Sequence, residues 1–292
     1  MLGVVIVAYK NPELTADYIN NQLSHIVNDK VTVVVNNGSS FEECEKLAGL
    51  CGGVACMPDD ICGRHNVYIV CSRENLGFAK GNNLGVRFLM RNVSCEHILF
   101  SNNDIIIEPD TDLQPMIDMI EDDKSIGAIG PDIVGLDGHH QSPHMRVVTP
   151  YRQLGWLLFP RLRKKKKTGE TNKNAVPPEG SCYWVSGSFF LIRFGHFSAV
   201  NGFDPDTFLY GEEPILAERL KRLGKRMYFY PGVRVTHLEG GTTSKNFKSS
   251  RLRNMIVESN CIYYKKYLRT PSIVVWLYRK LYGKTDESKS YS

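Results

Sequence analysis

The segment Ile98-Leu99-Phe100-Ser101-Asn102-Asn103-Asp104-Ile105-Ile106-Ile107 sets a short polar cluster between two apolar runs. A strand ending this way delivers a carboxylate to a sheet edge, where α/β proteins gather their ligands. Asp104 is therefore placed to grip a hard divalent cation, Mg2+ or Mn2+, and with it a diphosphate. A second stretch, Asn75-Leu76-Gly77-Phe78-Ala79-Lys80-Gly81-Asn82-Asn83-Leu84-Gly85, is crowded with glycines and amides. Glycines let backbone approach a ligand, and the amides with Lys80 offer donors to phosphate oxygens; a plain Gly-rich helix entry has the same composition. Glu212-Glu213 is a pair of adjacent carboxylates, which also suits the start of an acidic helix. His237 stands alone in Val235-Thr236-His237, and a lone histidine is more often structural than functional.

These residues need a scaffold, and the apolar patterning supplies one. Gly3 to Ala8 is too short an apolar run for a helix and reads as a buried strand, followed by a helix over Glu13 to Val27. Val31 to Val35 is a second buried strand that leaves the sheet at Asn36-Asn37-Gly38-Ser39-Ser40. Further strands are expected at Val67 to Val70, Ile98 to Phe100 and Ile126 to Ile129, the last closed by Gly130-Pro131. Helices are expected at Leu84 to Arg91 and Asp112 to Asp122. Strand and helix in alternation imply a doubly wound α/β architecture with a mostly parallel central sheet. Residues 139–180, with five prolines and the basic run Arg161 to Lys167, break the pattern and read as a flexible loop. Order resumes over 181–245, with a helix at Leu216 to Leu223 and strands at Met227 to Tyr230 and Val233 to His237.

Taken in order, five segments resemble the inverting family 2 glycosyltransferases of the GT-A fold, and among them the rhamnosyltransferase-like members. They are Val5 to Tyr9, Val33 to Ser39, Asn75 to Gly85, Asn102-Asn103-Asp104, and Trp184 to Arg193 continued by Gly202-Phe203-Asp204 and Leu209 to Glu213. The resemblance implies that the loop after the first strand, Ala8 and Tyr9, contacts a nucleotide base. It sets Asn36, followed by Asn37, where the family has an Asp that meets base or ribose. It implies donor contacts from Asn75, Gly77, Lys80, Asn83, Asn102, Asn103, Asp104 and Gly187, and metal ligation by Asp104 and His237. It makes Glu213 the general base, with Glu212 the other choice. Pro214 and Ile215 follow where relatives carry a second Asp. The implied reaction moves rhamnose or another hexose from a nucleoside diphosphate to a saccharide acceptor, with inversion and without a covalent intermediate. A non-catalytic sugar-nucleotide-binding or scaffold protein on the same fold is the alternative. A nucleotidyltransferase would carry a Gly-rich basic loop after its first strand, which Tyr9-Lys10-Asn11-Pro12 is not.

The implied domain plan is a GT-A domain over 1–245, with a donor half 1–135 and an acceptor half 181–245, then a helical extension over 246–292. At 292 residues and 42% hydrophobic content the chain can build one large core. A net charge of +5 set against 31 acidic residues does not mark a nucleic-acid binder. Cys44, Cys51, Cys56 and Cys62 with His65 lack the C-x-x-C spacing of a zinc site, so free thiols in a reducing cytoplasm are expected. Residues 251–282 interleave basic and aromatic side chains, a pattern that fits either an anionic bilayer surface or packing on the domain. Bilayer contact would make a lipid-linked saccharide, as in bacterial surface polysaccharide synthesis, the natural acceptor. It would also bring the protein to the inner face of the cell membrane.

Overall fold

The apolar run at the amino terminus forms strand β1, Leu2–Ala8, in the computed structural model, which describes residues 1–158, 175–238 and 249–283. Both faces of β1 are covered, which is why it is apolar throughout rather than alternating. Helix α1, Pro12–Asp17, is capped by Asn11, whose side chain accepts the Leu14 N–H. The single helix expected over 13–27 instead changes pitch, to a wide turn at Tyr18–Gln22 and a tight one at Leu23–His25. That change lets the Gln22 side chain accept the Ile107 N–H while His25 Nδ1 pairs with the Ile107 carbonyl.

Strand β2, Lys30–Asn37, leads into α2, Phe41–Cys51, which begins with a reciprocal capping box between Ser40 and Glu43. A short strand that the sequence did not announce, β3 at Val54–Cys56, precedes β4, Val67–Ser72. Helix α3 runs from Gly77 to Asn92, seven residues ahead of its expected start at Leu84. The Gly/Asn-rich stretch is thus the helix itself, because partners outside it satisfy the first N–H groups: Asn75 Oδ1 takes that of Gly77 and the Phe208 carbonyl that of Phe78. Gly85 sits flat on Val5 and Val35, so its missing side chain serves helix-on-sheet packing rather than a ligand.

Strand β5, His97–Ser101, ends at the Asn102-Asn103-Asp104 corner, and β6, Ile105–Ile107, turns away from it. After α4, Gln114–Asp122, strand β7 spans Ile126–Gly135 and passes straight through Gly130-Pro131 instead of closing there. The segment expected as a flexible loop contains helix α5, Pro150–Leu158, and ends in strand β8, Gly180–Cys182; the basic run Arg161 to Lys167 lies outside the described residues. Strand β9, Phe189–Arg193, and α6, Phe194–Ala199, precede α7, Glu212–Arg222, which starts at the carboxylate pair rather than at Leu216. The two expected late strands are one, β10 at Arg226–His237. Its register shifts between Tyr230 and Arg234, a bulge at Pro231-Gly232 beside Pro131 of β7.

Among the described residues the sheet order is β3-β4-β2-β1-β5-β9-β7-β10-β6, with β8 on β10. From β3 to β5 all pairings are parallel; β9 enters antiparallel between β5 and β7, and β6 pairs antiparallel with β10. One apolar core lies on each side of this sheet. A third gathers Ile215 of α7 with Tyr263, Tyr264, Tyr267 and Tyr278 of the tail, whose helices are α8, Ser249–Ile262, and α9, Ser272–Tyr282. The tail therefore packs on the domain. Among the described residues all eight cysteines are free thiols, and none joins a cluster with metal-ligand spacing.

Candidate active site

The carboxyl ends of β1, β2 and β5 and the start of α3 enclose a cavity of about 130 Å3, lined by Tyr9, Asn37, Asn75, Gly77, Asn102 and Asp104 among others. Asn37 knits its wall together: its Nδ2 donates to Asn75 Oδ1 at 2.9 Å, and its Oδ1 accepts the Leu76 N–H at 2.8 Å. Gly77 has φ +72, and a Cβ there would drive into the Phe208 carbonyl, so no other residue fits the corner. Asn103 lines the same cavity but spends its amide on Thr15 Oγ1.

Several expected donor contacts fall elsewhere. Ala8 and Asn36 are register partners below the cavity, and Asn36 Nδ2 points to Cys44 Sγ, so Asn37 supplies the wall that was expected of Asn36. Asn83 gives both ends of its amide to the Phe203 backbone, at 2.9 Å each, and so braces the 201–211 loop. Lys80 is exposed on α3 and lines neither this cavity nor the one beside it.

Asp104 and His237 meet because β6 and β10 pair antiparallel. His237 lies opposite Ile105, and the Leu238 N–H donates to the Asp104 carbonyl. His237 Nε2 stands 3.2 Å from Asp104 Oδ1. Gln141 Oε1 accepts the Nδ1 proton of the same ring at 2.7 Å, so the neutral ring carries its lone pair on Nε2, toward Asp104. Two electron-pair acceptors thus face each other, and Asp104 Oδ1 is buried with no hydrogen-bond donor. A cation fits that arrangement, an imidazole nitrogen and a carboxylate oxygen converging on one point. Gln141 was not foreseen; it lies in the segment read as a loop, and nothing in its spacing singles it out.

A second cleft of about 640 Å3 shares Phe78, Asn102, Asp104 and Leu209 with the first and adds His237, Gly187, Glu212, Glu213, Trp184 and His144. Gly187 donates its N–H to Glu213 Oε1 at 3.1 Å, and a Cβ at Gly187 would lie 2.5 Å from that oxygen. Burial raises both carboxyls; the Glu213 charge adds to this for Glu212, which reaches about 8. Glu212 Oε1 is buried without a hydrogen-bond partner. The His144 and Trp184 rings stack at 3.4 Å, and burial drops the imidazole to about 4, so it is neutral at physiological pH.

Asp204, from the Gly202-Phe203-Asp204 motif, lies outside both cavities. It is fully buried, takes hydrogen bonds from Lys266 at 2.7 Å and Tyr267 at 2.5 Å, and pairs with Arg219 at 3.3 Å. Its work is to fasten the tail. One further acidic cluster, Glu96-His97-Glu121, sits at the opposite, amino-terminal end of β5. There Arg193 and Lys124 already claim Glu121, with Arg193 holding its carboxyl near 2, so it belongs to an ion-pair network remote from the clefts.

The sequence matches the profile of glycosyltransferase-like family 2 over residues 2–256. It is 28% identical over 246 residues to the rhamnosyltransferase WbbL of Escherichia coli K12, covering 81% of this chain and 83% of that protein. Over 152 residues it is 30% identical to an N-acetylglucosaminyl-diphospho-decaprenol L-rhamnosyltransferase of Mycobacterium tuberculosis, covering 49% of this chain and 48% of that protein. The fold superposes on a mannosyltransferase of Pyrobaculum calidifontis, solved with GDP-mannose and Mn2+, with a TM-score of 0.56 at 13% identity over 95% of this chain and 68% of that one. A match over most of the chain, the mixed sheet of a GT-A enzyme and paired clefts at its carboxyl edge agree: this chain belongs to glycosyltransferase-like family 2 and is a glycosyltransferase.

Proposed function

We propose that the protein moves rhamnose or another hexose, with inversion, from a nucleoside diphosphate to a saccharide carried on a lipid diphosphate, at the cytoplasmic membrane face during surface polysaccharide assembly. The observation that carries this reading is the Asp104–His237 acceptor pair opening on the same cleft as Glu213. Tyr9, Asn37 and Asn75 shape the smaller cavity for the nucleoside end of the donor. Asp104 and His237 are the residues that would hold Mg2+ or Mn2+, with the Asn102 amide beside them. Such a cation would supply positive charge to offset that of the leaving diphosphate.

Glu213 takes the proton of the attacking acceptor hydroxyl. Two adjacent buried carboxyls share their charge; the Gly187 N–H favours the ionised form on Glu213, while burial and the Glu213 charge push Glu212 up to about 8 so that it keeps its proton. The stacked Trp184 and His144 rings offer the acceptor sugar an apolar wall. The lipid-linked acceptor is supported by the mycobacterial relative, an N-acetylglucosaminyl-diphospho-decaprenol L-rhamnosyltransferase. The test is a nucleotide-sugar screen that reads nucleoside diphosphate release with Mn2+, with Mg2+ and with chelator. Release that needs a cation and disappears in Glu213→Gln is the expected result. Release that survives both chelation and Glu213→Gln would overturn it.

A further inference from the structure

Helix α9 turns one side to Tyr263 and Tyr264 and leaves the other bare. At 3.6 residues per turn, Trp276, Lys280, Ile273, Leu277 and Leu281 fall on one arc of about 140°. Ile273 is 68% exposed and Trp276 54%, while Val275 and Tyr278 on the opposite arc are buried. The stripe continues into a groove of about 530 Å3 between α5, α8 and α9, lined by Trp156, Leu157, Ile256 and Leu281 among others. No helix among the described residues is long and apolar enough to cross a membrane.

Two observations say what covers this face. The first is charge: residues 249–283 hold seven Lys and Arg against the single acid Glu258, which Arg279 already pairs at 2.5 Å. Arg253, Lys265, Arg269 and Lys280 are exposed, and Lys280 Nζ lies 4.9 Å over the Trp276 ring. An apolar stripe carrying an indole and rimmed by cations complements an anionic bilayer surface rather than a second, equally basic copy of itself. The second is continuity. Leu252 of α8 lines the larger cleft, and Ile256, one turn or about 6 Å further along the same helix, lines the groove.

We propose that α9, with the exposed ends of α5 and α8, is the seat on which the enzyme rests on an anionic membrane. On that seat the lipid of an acceptor lies in the α5–α8–α9 groove while its saccharide reaches the cleft past Leu252. The seat stands on its own observations; the acceptor's place in the groove rests on the function proposed above. The experiment is co-sedimentation of the full-length protein with vesicles of phosphatidylcholine, with and without phosphatidylglycerol, alongside nucleoside diphosphate release in vesicle-free buffer. Wild type should bind the mixed vesicles, bind neutral ones weakly and lose affinity in high salt. A Trp276→Glu, Leu277→Glu double variant should lose roughly tenfold or more of its vesicle affinity and keep its vesicle-free release. Failure of wild type to bind anionic vesicles, or unchanged binding by the variant, would overturn the seat. So would a dimer by light scattering that the double variant dissolves. Absence of release from wild type would instead strike at the proposed reaction and leave the vesicle result standing.

Discussion

At the scale of single residues, the strongest constraint is that His237 Nε2 and Asp104 Oδ1 face each other as acceptors because Gln141 fixes the ring's other nitrogen. Replacing Gln141 by Leu frees the imidazole to change tautomer and swing. Mn2+ affinity, read by electron paramagnetic resonance, should fall about 10- to 100-fold with the fold intact, and Gln141→Glu should recover part of it. Glu213 must be ionised to accept a proton, and burial raises its carboxyl above the usual range. Activity should therefore be full well above that raised value and fall as pH drops through it, giving kcat/KM an acid limb above about pH 4.5. A profile flat down to pH 4 would remove Glu213 from the base role. Asp104 was legible from its setting at a strand end, whereas Glu212, Glu213 and His237 were reached only through the family resemblance; the structure brings all four to one cleft. Gln141 was not legible, since its role exists only once the 139–145 segment folds back beside β7.

At the scale of elements, two close approaches set the geometry of the larger cleft. The turn before β9 meets the first turn of α7 at Gly187, where a side chain would displace the Glu213 carboxylate. Gly187→Ala should fold, bind donor nearly as wild type and lose about 100-fold in kcat, because the base is moved rather than removed; a loss confined to KM would contradict this. The 201–211 loop is held from both sides, by Asn83 on α3 and by Lys266 and Tyr267 of the tail, which bind its Asp204. Burial opposes ionisation of Asp204, but Lys266 and Tyr267 hold its carboxyl below the ordinary value. Tyr267→Phe removes a hydrogen bond to that buried charge and should cost about 1.5–3 kcal/mol in denaturant unfolding. Strand positions were readable because buried parallel strands are uniformly apolar. Element ends were not: α3 starts at Gly77 through the Asn75 side chain and the distant Phe208 carbonyl, and β10 runs through Pro231-Gly232 by bulging beside Pro131.

At the scale of the whole molecule, the antiparallel entry of β9 between β5 and β7 brings distant stretches to one edge, so that Asp104, Gly187 and Glu213 share a cleft. Strand-helix alternation made the α/β class visible, yet sheet order depends on long-range pairing that no local pattern records. The tail was ambiguous for a related reason: its aromatic residues divide between a face packed on Ile215 and a face left open, and composition alone cannot divide them. A chain truncated ahead of Ser249 should lose the Lys266 and Tyr267 bonds to Asp204 and the apolar cover of Ile215 together. Its thermal unfolding should come at least 10 °C lower, or the product should be insoluble.

The Asp204 cluster also bears on how such enzymes diversify. Because the carboxylate lies in the catalytic domain and two of its partners in the tail, a tail taken from a relative must bring its own equivalents of Lys266 and Tyr267 or leave that buried charge with Arg219 alone. Tail and domain thus form a matched pair, and chimaeras that respect this match are the ones that should exchange acceptor preference without losing the fold.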